Sequence, residues 1–267
     1  MRSTCLRTNG WAYREAIQEI LPQLPNVGVG VHLNVVEGKT GRSVTRGSRL
    51  CHPDGRYRCQ FSALWARRRD RQLLDEIEVD FRDQIERVLN DGIQVDHLNS
   101  HRHSHVIPAL FDIVCRLAVS YKVPFVRLIK EQWYPPAWKE VWHPWYWANM
   151  GKHYLGAIFS KENEEISHRY GVRTNSDFIG LLHSGFMSFQ VIKSALSRVK
   201  GPGPIEILLH PTQKVEGDRF WEKYVQSYVN ASERSLELAT TKQTELANLL
   251  NNPPYELTNF RVLGKAV

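Results

Sequence analysis

Long hydrophobic runs are missing from this 267-residue chain. No stretch of 18 apolar residues occurs, which excludes a membrane-spanning helix. The first residues hold no apolar signal-peptide core, and the two absences together lead us to expect a cytoplasmic protein. Cysteine is scarce, with only Cys5, Cys51, Cys59 and Cys115. Cys51 and Cys59 flank a Pro-Asp-Gly turn that could pair them as a disulfide or as half of a zinc site. Neither spacing matches a common zinc knuckle and there is no second pair, so four reduced thiols are expected. A nucleic-acid motif is absent too. The net charge is +7, but the basic residues are dispersed, and the run Arg67-Arg68-Arg69-Asp70-Arg71 reads as a solvated face. No nucleic-acid partner is expected, and there is no internal repeat or low-complexity tract.

What is present suits a full globular core: 42% hydrophobic, 24% charged and 10% aromatic residues. The segments alternate between strand and helix patterns. Strands are expected over 3–8, 27–35, 93–98, 123–128 and 205–209, and Phe260–Leu263 as a last short strand. Helices are expected over 11–21, 72–90, 108–121, 137–170, 189–199 and most of 217–250. The clearest is 72–90, where Leu73, Ile77, Phe81, Ile85 and Val88 recur at helical spacing before Asn90-Asp91-Gly92 stops it. This order implies an α/β fold of mainly parallel strands with helices outside. In such folds the chemistry collects at the C-terminal ends of the strands.

Three strands here end in titratable residues. One ends in His32 and another in His210. The third leads into His97-Leu98-Asn99-Ser100-His101-Arg102-His103-Ser104-His105, which holds four of the chain's 11 histidines in nine residues. Imidazole is the commonest protein metal ligand. A hydrolytic metal centre needs about three protein ligands and open positions for water and substrate. His32 with one or more of His101, His103 and His105 could supply two nitrogens. A carboxylate would complete the set or act as the base toward metal-bound water. None stands at an obviously suitable place: Asp96, Glu206 and Glu37 each read as structural or surface acids.

Several motifs occur in a telling order: Gly30-Val31-His32-Leu33-Asn34-Val35-Val36-Glu37-Gly38, the histidine cluster followed by Pro108, Val126-Arg127, and Glu206-Ile207-Leu208-Leu209-His210-Pro211. The set resembles the YdjC-like carbohydrate deacetylase family, which includes chitooligosaccharide deacetylases and deacetylases associated with hopanoid lipid biosynthesis. Gly171-Val172-Arg173-Thr174-Asn175 and Gly180-Leu181-Leu182-His183-Ser184-Gly185-Phe186-Met187-Ser188 resemble the hopanoid-associated branch. The resemblance runs to about residue 212. It implies a distorted (β/α) barrel of the polysaccharide-deacetylase-like kind, formed as a single domain over 1–267 with an aromatic-rich insertion around 130–175. It also implies removal of acetyl groups from N-acetylated sugars or glycolipids with a divalent metal, magnesium or zinc. By the same resemblance His32 and His101 are metal ligands. His210 is the acid that protonates the departing amine, and His103, His105 and Arg127 line the pocket. Asn99 stands where many members have Asp.

One departure bears on activity. Family members begin with a strand ending in a paired-aspartate motif, which supplies a ligand and the base. Here Ser3–Gly10 aligns with the family's second strand, so the first βα unit, roughly 30 residues, is not in this sequence. Either the start was assigned too late or the chain is a degenerate relative. A catalytically impaired binder of carbohydrate or glycolipid is therefore the alternative to the deacetylase, and a metal phosphoesterase using the same histidines is a third reading. The segment 133–147 carries five of the eight tryptophans. Flat aromatic faces suit sugar rings and lipid headgroups, so Trp142 and Trp145 are expected to contact the substrate. A peripheral membrane contact and a homodimer are compatible with this reading.

Overall fold

The computed structural model describes residues 2–135, 142, 144–213 and 231–265, with only the backbone of Pro144 and Trp145. The chain sorts into two compact units. The first is Met1–Arg127, Phe159–Thr174 and Thr258–Val267; the second is Leu128–Ile158 and Asn175–Leu257.

The first unit is built on a parallel sheet of β1 (Ser3–Leu6), β2 (Gly28–Leu33), β3 (His97–Ser100) and β4 (Phe125–Val126), in that order. Strand β2 is buried at nearly every position, as a parallel strand covered on both faces must be. Its register sets Gly30 opposite His97 and His32 opposite Asn99. A Cβ on Gly30 would lie 2.5 Å from the His97 ring and from its carbonyl oxygen. Only glycine lets the two strands carry an imidazole between them.

The helices of this unit are α1 (Tyr13–Glu15), α2 (Phe61–Ala66), α3 (Arg71–Asn90) and α4 (Pro108–Ser120), of which α3 packs on β2 and α4 on β4. Helix α3 follows the sequence pattern closely. Asp70 caps it by accepting from the Leu73 N–H at 3.2 Å. Leu73, Ile77, Phe81, Ile85 and Val88 are buried, each worth about 1.5–3 kcal/mol of transfer free energy. Gly92 ends it with φ 79°. The expected helix over 11–21 is less regular: after α1 the chain widens into a π-turn over Ala16–Ile20 and tightens into a 3₁₀ turn over Leu21–Gln23. Pro22, which has no N–H to give a helical ladder, sits in that last turn.

Helix α5 (Pro144–Tyr170) contributes to both units. The second unit adds β5 (Asp177–Ile179) parallel to β6 (Ile205–Ile207), with α6 (Phe189–Leu196), α7 (Ser232–Thr241) and α8 (Thr244–Asn251). Its core gathers Tyr134, Ile179, Leu182, Met187, Ile192 and Leu196.

The parallel α/β architecture is as the sequence implied, with one element corrected. Phe260–Leu263 is not a strand but part of helix α9 (Phe260–Lys265) in the first unit. Asn259 initiates it, its side-chain oxygen accepting from the Val262 N–H at 2.9 Å. Phe260 stacks on His97 with ring centroids 4.3 Å apart. Helix α2 and strand β5 were not foreseen; they span only six and three residues. Of the expected 217–250 helix, 217–230 lie outside the described residues. All four cysteines are free thiols.

Candidate metal centre

Two neighbouring strand ends and two turns assemble the site in the first unit. Strand β2 delivers His32, and strand β3 delivers Asn99 beside it. The Nδ1–H of His32 donates to Asn99 Oδ1 at 2.6 Å, which leaves the lone pair on Nε2. Cys5, on β1, places its sulfur 3.5 Å from the same Nδ1. Beyond β3 the chain turns sharply. Arg102 and His103 adopt left-handed conformations, φ 51° and 55°, a strained arrangement for two consecutive residues with side chains. The turn brings the His101 ring edge-on to His32, with centroids 5.5 Å apart and an interplanar angle of 76°.

The turn after β2 supplies a carboxylate. Asn34 accepts from the N–H groups of Val36 and Glu37 through its side-chain oxygen, an Asx-type turn. Gln84 of α3 in turn grips the Asn34 backbone through both its N–H and C=O, each at 2.8 Å. Glu37 then accepts from the His101 Nε2–H at 2.7 Å. That hydrogen bond, with Arg7 and Arg102 nearby, holds the Glu37 carboxyl down to about 2 despite its partial burial. His101 is itself pushed down to about 4, chiefly by burial. It is therefore neutral near pH 7, the state a metal ligand needs.

His32 Nε2 and His101 Nδ1 face each other at 3.4 Å. Two nitrogens bound to one ion at about 2.0–2.1 Å and a tetrahedral angle stand about 3.4 Å apart. With their other nitrogens committed to Asn99 and Glu37, the two free lone pairs converge. The pair thus fits as two ligands of one divalent ion. Among the described residues, no group of three or more His, Cys, Asp or Glu side chains could hold a metal, so a third ligand is not among them. The Nδ2 of Asn99 is buried with no hydrogen-bond partner among the described residues. A carboxylate there would leave no such donor.

His105 has no exposed surface. Its Nδ1 accepts from the Ser100 hydroxyl at 2.6 Å and its Nε2–H donates to the Arg127 carbonyl at 3.0 Å. Both nitrogens are spent, one on Ser100 and one on Arg127, so His105 ties the cluster to the end of β4. Burial, with the Arg127 guanidinium nearby, pushes it down to about 3. His103 is partly buried and Arg127 buried. Asp96 accepts from the Val29 N–H and pairs with His97, both within the buried sheet.

His210 belongs to the second unit, just past β6, and is held from behind by Glu237 of α7. The fully buried Glu237 carboxylate accepts from the His210 backbone N–H and from the Gly185 N–H, and lies 4.0 Å from His210 Nδ1. It also pairs with Arg234 at 3.4 Å. Glu131 is a second buried carboxylate in this unit, accepting from the N–H groups of Gly180, Leu181 and Leu182. Neither acid was foreseen. Both act by hydrogen bonds to distant backbone, which leaves no spacing signal. Trp142 is 74% exposed; the side chain of Trp145 lies outside the described residues.

Comparison with known proteins decides the family: the sequence model described as YdjC-like protein matches residues 1–252. This chain belongs to the YdjC-like family. A carbohydrate deacetylase of Brevibacillus brevis is 24% identical, over 98% of this chain and 88% of that one. One from Clostridium beijerinckii is 23% identical, over 97% and 87%. A solved structure from Enterococcus faecalis V583, named for cellobiose-phosphate cleavage, superposes with a TM-score of 0.70 at 18% identity. It covers 98% of this chain and 88% of that chain, and at that identity it shows a shared fold. No helix among the described residues is long and apolar enough to cross a membrane.

Proposed function

We propose that this chain is a metal-dependent carbohydrate deacetylase acting on N-acetylated sugars or glycolipids. The observation that carries the reading is the pair of converging lone pairs on His32 Nε2 and His101 Nδ1, each fixed by a partner on the opposite ring nitrogen. The deacetylase relatives, matched along most of their length, supply the reaction class. Imidazole donors favour zinc over magnesium. A bound divalent ion would polarise the amide carbonyl and lower the pKa of a water.

The chain's own residues do the rest. Asn99 and Glu37 hold the two imidazoles in the tautomers that face the ion. His210, its backbone N–H held by Glu237 and its Nδ1 4.0 Å from that carboxylate, is the residue we assign, on the family resemblance, to protonate the departing amine. Exposed aromatic side chains, among them Trp142, Trp147 and Tyr154, offer flat faces for sugar rings or a lipid headgroup. A binder without turnover is the second reading, favoured by the want of a third ligand among the described residues.

The test is acetate release from N-acetylated oligosaccharides together with bound zinc measured by equilibrium dialysis. His32→Ala and His101→Ala should each abolish both. Asn99→Asp should tighten zinc about tenfold, within the range seen for partners of ligand histidines. Acetate release that survives both alanine variants would sink the reading, while zinc binding without acetate release would favour the binder.

A further inference from the structure

The basic residues, expected above to be dispersed, are in fact concentrated in one segment. Residues 38–71 hold ten Lys and Arg against Asp54 and Asp70, an excess larger than the net +7 of the entire protein. The fold gathers part of this segment around an open depression of about 330 Å³ lined by Gly47, Ser48, Arg49, Arg58, Arg67 and Gln72. Among the described residues no carboxylate is in this lining, though Glu76 bonds Ser48, Arg49 and Gln72 from behind and Asp70 pairs with Arg67.

The depression is preorganised. Glu76, on α3, accepts from the Ser48 hydroxyl and from the N–H groups of Arg49 and Leu50, which fixes the 48–50 turn against the helix. Arg49 Nε donates to Gln72 Oε1 at 3.3 Å, and Arg58 Nε donates to the Cys51 carbonyl at 2.6 Å. Each guanidinium is thus oriented through Nε. Among the described residues neither forms an ion pair with a carboxylate, whereas Arg67 pairs with Asp70 at 2.7 Å. A planar fork of N–H donors held at its Nε is the group best matched to a phosphate oxygen pair.

We propose that this depression binds a phosphate ester, with Arg49 and Arg58 as its direct contacts and Arg67 beside them. The inference does not depend on the deacetylase reading, because it uses neither the histidines nor the reaction. A phosphate group could reach the site on a small soluble ester or on a lipid headgroup, and the probes separate the two.

Calorimetric titrations of the full chain at low ionic strength would use inorganic phosphate and glycerol 3-phosphate, each against sodium chloride of equal ionic strength. Vesicles of phosphatidylcholine with and without phosphatidylglycerol would be tested by co-sedimentation. Saturable binding of either soluble probe, weakened at least fivefold in Arg49→Gln/Arg58→Gln and unchanged in His32→Ala, supports the site with a soluble ligand. Binding only to the anionic vesicles, lost in the same double variant, supports it with a lipid source. Both arginines are exposed, so circular dichroism and melting should show an intact fold. No response beyond that of chloride from either soluble probe together with no preference for the anionic vesicles, equal binding by the double variant, or loss in His32→Ala would each overturn the proposal.

Discussion

His105 gives the most direct test of how the histidine cluster is built. Its ring is wholly buried and uses both nitrogens as a neutral imidazole. A proton added to Nδ1 would displace the Ser100 hydroxyl hydrogen and place a charge next to Arg127. The folded-state value near 3 lies below the ordinary 6.5, so between those values the unfolded chain binds more protons than the folded one. Stability must then rise with pH across that window, and fall as the pH drops from 6.5 toward 3. At pH 5 the imidazole of the unfolded chain sits 1.5 units below its own pKa, a penalty of about 2 kcal/mol, against almost none at pH 7.5. The figure barely changes whether the folded value is 3 or 4. Urea unfolding of the wild type and of His105→Gln at both pH values isolates it. The variant is less stable throughout, but the wild type should lose about 2 kcal/mol more on acidification. Equal losses in the two proteins would refute a neutral, buried His105.

Glu131→Gln should destabilise the chain by about 3 kcal/mol in urea unfolding, because an amide nitrogen would confront backbone N–H donors that now share a charged acceptor. Gly30→Ala should cost at least about 1–3 kcal/mol, since its Cβ has only 2.5 Å to the His97 ring and carbonyl; an unchanged melting temperature would mean the strands can part there.

Sequence and structure agree where a pattern is local. The period of α3, the apolar run of β2 and the strand leading into the histidines could all be read from neighbouring residues. Strand ends singled out His32 and the histidine cluster, and the family resemblance picked His101 from that cluster. Glu37 could not be found in this way, since its link to His101 depends on the Asn34 turn and on two left-handed residues 65 and 66 positions further along. Glu131 and Glu237 were hidden for the same reason, as each carboxylate meets backbone far away in sequence. Phe260–Leu263 misled because four residues with three apolar side chains fit a strand as well as a helix, and only the Asn259 cap decided between them. His105 is set apart from His101 by the two positive-φ residues between them, Arg102 and His103, a turn that the sequence does not announce.

Helix α3 has a consequence of its own. Gln84 grips Asn34, which shapes the turn carrying Glu37, while Gln72 and Glu76 of the same helix hold the arginine-lined depression. Twelve residues separate Gln72 from Gln84, about 18 Å of rigid rod. The helix therefore works as a ruler with a fixed phase. One residue inserted between Glu76 and Gln84 would lengthen it by only about 1.5 Å but swing one end about 100° against the other. Through this part of its length the chain has room to exchange side chains and almost none to gain or lose a residue.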